Sequence, residues 1–95
     1  MAQPNAVIVV FAMKECPACS DYMPRFQTIA GQFAGRVPYQ ILDANAPGVQ
    51  ELADRFSIEA TPTTLVLRKP VGAIKAEGSL SDNEILRLFN IASMV

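Results

Sequence analysis

The sequence predicts a single α/β domain, residues 1–95, in which helices cover both faces of a four-stranded mixed sheet. The chain has 95 residues, of which 51% are hydrophobic, and this is enough for one compact core. Apolar runs of strand length alternate with segments of helical periodicity in the order β-α-β-α-β-β-α. We expect the first two strands to be parallel, joined by a right-handed helical crossover, and the last two to form an antiparallel hairpin.

The first strand and the helix after it have the clearest patterns. Ala6–Met13 is a continuous apolar run rich in β-branched residues, which is typical of a strand buried on both faces. After a polar turn, apolar residues recur with helical spacing at Tyr22, Phe26, Ile29, Ala30 and Phe33. This spacing predicts a helix from about Pro17 to Ala34, kinked by the internal Pro24 and ended by Gly35.

The middle of the chain predicts a strand, a short helix and another strand. Val37–Asp43 is predicted as the second strand, with Pro38 near its start. Apolar residues at i, i+3, i+4 and i+7 predict a short helix over Val49–Phe56. Thr63–Arg68 is predicted as the third strand.

The last third of the chain predicts a hairpin and a final helix. Pro70 and Gly72 mark the hairpin turn, and Val71–Ala76 is a weaker fourth strand. Ser81 and Glu84 have the spacing of a capping box, in which each side chain bonds the other residue's backbone N–H. The helix that follows has an apolar face formed by Ile85, Leu88, Phe89 and Ala92.

The segment Cys16-Pro17-Ala18-Cys19 points to chemistry, because it holds the only two cysteines of the chain. Proline is best tolerated at the first helical position, so Pro17 makes Cys16 the predicted N-cap of the first helix. The free N–H groups and the helix dipole can stabilise a thiolate there, and Lys14 adds a positive charge that nearby carboxylates partly offset. We expect the pKa of Cys16 to be lowered and Cys19 to be more covered.

The cysteine pair can close a disulfide and open it again. Residues three apart on a helix have Cβ atoms about 5–6 Å apart, so small adjustments bring the pair into disulfide range. Cys16 would attack a target disulfide, and Cys19 would then attack the Cys16 sulfur and release the reduced target. The alternatives are two inert core cysteines or half of a zinc site, which is disfavoured because the chain has no histidine and no other cysteine.

Composition and charge exclude several other functions. A net charge of −1 gives no electrostatic reason to expect binding to nucleic acid or to a membrane. Without histidine the chain cannot build a Cys–His pair or a Ser–His–Asp triad. The first apolar run is too short for a bilayer and lacks the flanks of a signal peptide. We therefore expect a cytoplasmic protein, where a closely spaced cysteine pair is more often catalytic than structural.

These features resemble the thioredoxin superfamily over nearly the whole chain. The element order and a Cys-x-x-Cys after the first strand match, and Pro24 stands where thioredoxins carry a helix-kinking proline. Thr61-Pro62-Thr63 looks like the cis-proline segment of the family, and Gly78 like the glycine beside its active site. Spacing alone would make Pro62 a trans proline at the start of a strand, whereas the resemblance implies a cis bond.

The resemblance implies a substrate site beside the two sulfurs. Thr61 would offer its backbone to an extended segment of the target, as in strand addition. Pro62 has no N–H and is a poor metal ligand, which suits a dithiol site free of metal. Gly78 would let a substrate backbone approach closely, with a plain turn glycine as the alternative. Three further side chains are candidates for the surroundings of the site, with core packing as the alternative for each: Tyr22, Phe56 and Met13.

The chain also departs from the family pattern. Typical thioredoxins have a tryptophan before the first cysteine, Gly-Pro between the cysteines and a buried aspartate in the first strand. Here Glu15, Pro17-Ala18 and Val10 stand at these positions. The proline after the first cysteine and the short N-terminus are more similar to glutaredoxins. Their aromatic second residue and their Gly-Gly turn are missing, since Gly78-Ser79 replaces that turn and Asp82 is displaced from its place.

The leading functional prediction is a thiol–disulfide oxidoreductase that reduces protein disulfides through Cys16 and Cys19. We expect a monomer without a cofactor, whose partners are disulfide-containing proteins and an electron donor, either a thiol reductase or glutathione. In oxidising members of the family a histidine between the cysteines stabilises the first thiolate. No histidine lies there in this chain, so the resemblance favours a reducing role. The alternatives are a glutathione-dependent glutaredoxin-like oxidoreductase, a non-catalytic binding module that uses the Thr61–Pro62 groove, and a dimer that bridges an iron–sulfur cluster through Cys16.

Overall fold

The secondary structure follows the predicted order. The structure, a computed structural model, describes residues 6–68 and 72–94. Its strands are β1 (Ala6–Ala12), β2 (Tyr39–Asp43), β3 (Thr63–Arg68) and β4 (Ala73–Glu77), and its helices are α1 (Pro17–Gly31), α2 (Val49–Arg55) and α3 (Asp82–Ser93). Within these described ranges no helix has the length and the apolar character that a membrane crossing needs.

The four strands form one mixed sheet in the order β2-β1-β3-β4. β1 pairs in parallel with β2 and antiparallel with β3, and β3 pairs antiparallel with β4. The predicted parallel pairing of the first two strands and antiparallel pairing of the last two are therefore confirmed. β1 lies inside the sheet with both faces covered, which explains why its sequence is apolar without alternation.

The two faces of the sheet bury very different amounts of apolar surface. On one side, which we call the thick face, α1 and α3 bring Phe26 and Phe89 against Ile8 and Val10 of β1. On the other side, the thin face, α2 and its flanking loops pack against the sheet, and α2 has no fully buried residue. Among the described residues, the buried hydrophobic cluster of the thin face consists of Val9, Phe11 and Leu65.

α1 is shorter than the periodicity predicts. It ends at Gly31, and the N–H groups of Gln32 and Phe33 bond carbonyls three residues back, so the chain tightens into turns before Ala34. Gly35, predicted to stop the helix, lies in these turns with φ +83°. Pro24 lies inside α1 as predicted.

Three strand boundaries also differ from the prediction. β1 ends at Ala12, one residue before the predicted end at Met13. β2 begins at Tyr39 because the N–H of Val37 bonds back to the Phe33 carbonyl and is not available for the ladder. β4 covers Ala73–Glu77, one residue further than predicted at its end. The predicted start of β4 at Val71 and the turn residue Pro70 lie outside the described residues.

The capping box at the start of α3 is present as predicted. The Ser81 hydroxyl accepts a hydrogen bond from the Glu84 N–H at 3.2 Å, and the Glu84 carboxylate accepts one from the Ser81 N–H at 3.1 Å. These hydrogen bonds lower the pKa of Glu84. The predicted apolar face of the helix is buried at Ile85, Leu88, Phe89 and Ala92.

Candidate active site

Cys16 lies at the N-cap of α1, beyond the carboxyl end of β1. Its backbone is extended, and Pro17 occupies the first turn of the helix behind it. The Cys19 N–H donates a hydrogen bond to Cys16 Sγ at 3.1 Å. The sulfur thus takes the place that a serine or aspartate oxygen holds in an ordinary helix cap. The same donor and the helix dipole would stabilise negative charge on this sulfur.

The two cysteines are joined as a disulfide across the first turn of α1, with Cα atoms 5.1 Å apart. Their surroundings differ as the sequence predicts. Cys16 is half-buried and can be reached from solvent, whereas Cys19 is only 2% exposed. The pair therefore has one accessible sulfur and one protected sulfur, the arrangement that sequential thiol–disulfide exchange needs.

The loop before β3 closes the other side of the accessible sulfur. The Thr61 carbonyl oxygen lies 3.5 Å from Cys16 Sγ, and the Thr61–Pro62 peptide bond is cis, as the resemblance implies and spacing alone does not. The Gly78 N–H donates to the Pro62 carbonyl at 2.8 Å, and Gly78 has φ +93°. The structure thus links the three predicted substrate-side residues to one another, and Thr61 among them reaches the Cys16 sulfur.

A buried pair of hydroxyl groups lies on the thick face behind the cysteines. The Tyr22 hydroxyl and Thr64 Oγ1 are 2.8 Å apart, and both side chains are fully buried. Burial raises the pKa of Tyr22, so the phenol stays neutral. Thr64 pairs with Val10 across β1 and β3, and Val10 is fully buried in the apolar cluster.

Arg25 joins three parts of the molecule near the site. Its guanidinium donates to the Leu80 carbonyl at 2.7 Å, to Asp21 at 2.9 Å, to Ser79 Oγ at 2.8 Å and to Asp82 at 3.0 Å. The hydrogen bond from Arg25, followed by that from Ser79, lowers the pKa of Asp21. We call this set of contacts the Arg25 clasp. The Asp21–Arg25 spacing of four residues was readable from the sequence, but its loop partners were not.

Comparison with known proteins identifies the family. A protein-family model for thioredoxin matches residues 1–90. The chain belongs to the thioredoxin family. It is 30% identical over 79 residues to a thioredoxin H-type of Oryza sativa subsp. indica, a match that covers 83% of this chain and 62% of that protein. It is 29% identical over 89 residues to protein disulfide-isomerase A4 of Homo sapiens, covering 90% of this chain and 13% of that protein.

The solved structures agree on the thioredoxin fold. Chloroplastic thioredoxin z superposes with a TM-score of 0.79 at 22% identity, covering 98% of this chain and 82% of that one. The structural likeness supports the α/β fold, and the chain spans less than two thirds of the length of the two relatives matched by sequence. Family membership and the Cys16–Cys19 pair together support thiol–disulfide oxidoreductase chemistry.

The remaining residues predicted for this thioredoxin-family site differ in burial and in the face of the sheet on which they lie. Lys14 is exposed in the turn before Cys16, and Pro24 is exposed on α1. Of the three candidates for the surroundings, Tyr22 is fully buried in the thick face and Phe56 packs half-buried on the thin face. Met13 lines a groove next to Thr61. Among residues 6–68 and 72–94, no group of three or more metal-binding side chains is placed to hold an ion.

Proposed function

We propose that this protein is a thiol–disulfide oxidoreductase that reduces disulfide bonds in other proteins. The observation that carries the proposal is the geometry of Cys16, whose sulfur faces the helix N–H of Cys19 on one side and the Thr61 carbonyl on the other. An accessible, stabilised sulfur next to exposed backbone is what attack on an extended disulfide-bearing segment requires.

The reaction begins from the reduced pair. The Cys16 thiolate attacks one sulfur of the target disulfide, a Cys16–target disulfide forms, and the other target sulfur leaves as a thiolate that takes a proton from water. Cys19 then loses its proton and attacks Cys16 Sγ. The Cys16–Cys19 disulfide forms and the second target thiol is released, so that two electrons and two protons pass to the target.

The residues between the cysteines support the reducing direction of exchange. No histidine lies between the cysteines, where Pro17-Ala18 stand, so a feature that favours the oxidising direction is missing. A second thiol compound must then return two electrons to the Cys16–Cys19 disulfide. We propose a dedicated thiol reductase for this step, with glutathione as the alternative donor, and we propose that the protein works as a monomer in the cytoplasm.

Trapping with cysteine variants tests the proposal. Cys19→Ser should hold a target protein in a stable Cys16 mixed disulfide, because the residue that releases it is gone, while Cys16→Ser should trap nothing and lose reductase activity. The readout is mass spectrometry of the adduct with a disulfide-bonded model protein, alongside turnover of the unmodified chain. If Cys19→Ser forms no adduct and the unmodified chain has no turnover, the oxidoreductase proposal is wrong and a binding module replaces it.

Equilibration with glutathione buffers then separates the two electron donors. Thioredoxins have midpoints of about −270 mV and glutaredoxins of about −200 to −230 mV. A midpoint near the lower value with little glutathione on Cys16 supports a dedicated thiol reductase. A midpoint near the higher values with a persistent Cys16 adduct contradicts that choice and assigns the protein to the glutathione system.

A further inference from the structure

A groove runs along the thin face from the loop that touches the accessible sulfur. It has a volume of about 350 Å³ and begins at Thr61, whose carbonyl oxygen lies 3.5 Å from Cys16 Sγ. Its walls come from the end of β1, from α2 and from the segment between α2 and β3. When a polypeptide places a cysteine at Cys16, the side chain of a residue next to that cysteine therefore lies at the opening of this groove.

The lining of the groove has two kinds of surface. Met13, Ala53 and Ile58 supply an apolar wall and are only half-buried, so part of their apolar surface faces the groove. Asp54 and Glu59 supply two exposed carboxylates. Among residues 6–68 and 72–94, no lysine or arginine lines the groove, and neither carboxylate forms an ion pair.

These two surfaces complement one kind of side chain. A lysine or arginine has a long apolar stem that packs on aliphatic groups, and a cationic head that stays hydrated at the rim. A glutamate or aspartate would meet two like charges, and a short apolar side chain would leave the carboxylates unused. The charge at the groove thus favours cations over anions.

We propose that this groove is a specificity subsite that receives a lysine or arginine side chain next to the target cysteine. The proposal rests on the proposed function, because it concerns the substrate of the Cys16 exchange. The stem of the basic residue lies along Met13, Ala53 and Ile58, and its cationic head lies between Asp54 and Glu59. The substrate class is therefore a disulfide-bearing polypeptide with a basic residue beside its reactive cysteine.

Single-turnover kinetics with short peptides tests the subsite. Each peptide carries one central cysteine as a mixed disulfide with a coloured thiol, and lysine, leucine or glutamate stands at one position on either side of it. The reduced protein attacks the peptide sulfur, the coloured thiolate leaves and its appearance gives the rate. At one flanking position lysine should react about five- to tenfold faster than glutamate, since exposed ion pairs with the groove replace like-charge contacts.

Charge-removing variants identify the residues responsible. Asp54→Asn and Glu59→Gln should each lower the lysine-to-glutamate ratio, and the double variant should bring it close to one. Glu51→Gln removes one carboxylate from α2 outside the groove and is the matched control, which should keep the ratio of the unmodified chain. A ratio that is near one in the unmodified chain, or that falls equally with Glu51→Gln, overturns the subsite.

A peptide with glycine on both sides of the cysteine separates this proposal from the one it rests on. If the glycine peptide reacts and the lysine and glutamate peptides react equally, the exchange function stands and the subsite is wrong. If no peptide disulfide reacts at any concentration, the exchange function itself is wrong, and the subsite falls with it.

Discussion

The thick and thin faces of the sheet differ in how much apolar surface they bury and in which parts of the site they carry. The thick face buries aromatic side chains from two helices against β1, and it holds the buried Tyr22–Thr64 hydroxyl pair. The thin face has one short helix without a fully buried residue, and it carries the groove beside Thr61. The comparison shows that apolar burial is concentrated on one side of the sheet, whereas the other side keeps half-buried apolar surface. We therefore expect the thick face to contribute more to stability than the thin face.

Matched phenylalanine truncations should show the largest difference between the faces. Phe26→Ala should cost about 3–5 kcal/mol of unfolding free energy, because it removes a fully buried ring from the thick face. Phe56→Ala should cost about half as much, since its ring is half-buried on the thin face and still reaches water. Urea denaturation of both variants gives the two values. Equal losses would show that the faces contribute alike.

The buried hydroxyl pair gives a second test within the thick face. Tyr22→Phe should lower the unfolding free energy by about 1–3 kcal/mol, because it leaves Thr64 Oγ1 buried without its partner. The double variant Tyr22→Phe/Thr64→Val removes both polar groups and should regain most of that loss. Denaturation of the two single variants and the double variant forms a complete cycle. Additive losses would mean that the two hydroxyls do not depend on each other.

The smallest effect concerns acid, and it comes from helix residues on the thick side. The folded-state pKa values of Asp21 and Glu84 are lowered, by hydrogen bonds from Arg25 and Ser81 respectively. Below the ordinary carboxyl pKa of about 4, the unfolded chain binds protons that the folded chain does not. The stability that these two carboxylates contribute above that pH is therefore lost as the pH falls through their folded-state pKa values.

Acid titration of stability measures this effect. The urea concentration at half unfolding should stay constant from neutral pH down to the ordinary carboxyl pKa range and should decrease at lower pH. In Asp21→Asn or Glu84→Gln this decrease with pH should be less steep. Glu51→Gln, an exposed α2 carboxylate, is the control and should keep the slope of the unmodified chain. A slope unchanged in the first two variants would show that their hydrogen bonds do not contribute to acid sensitivity.

Local patterns predicted most of the fold and the cysteine end of the site. The apolar run of β1, the capping box at Ser81 and the proline after Cys16 each depend on neighbours in the sequence, so their consequences were readable directly. The cis bond before Pro62 was different, since spacing favours a trans proline there and only the family resemblance implied the observed form.

Contacts between distant segments were beyond local patterns. Asp54 and Glu59 have no distinctive spacing, and their place beside Thr61 depends on how α2 packs on the sheet. The end of α1 was missed for a related reason, because the helical spacing continues to Phe33 whereas the backbone has already tightened after Gly31. The spacing of apolar side chains reports which residues are buried and not the backbone conformation. The spacing therefore continues beyond the end of the helix wherever the following turn also buries its apolar residues.

The Arg25 clasp has a consequence for how the site holds together when a target leaves. The helix that carries both sulfurs and the loop that carries Gly78 are far apart in sequence, yet one guanidinium fastens them to each other and to the start of α3. Gly78 is in turn bonded to Pro62. The two walls of the cleft are therefore linked through Arg25, and separating them would require breaking its hydrogen bonds.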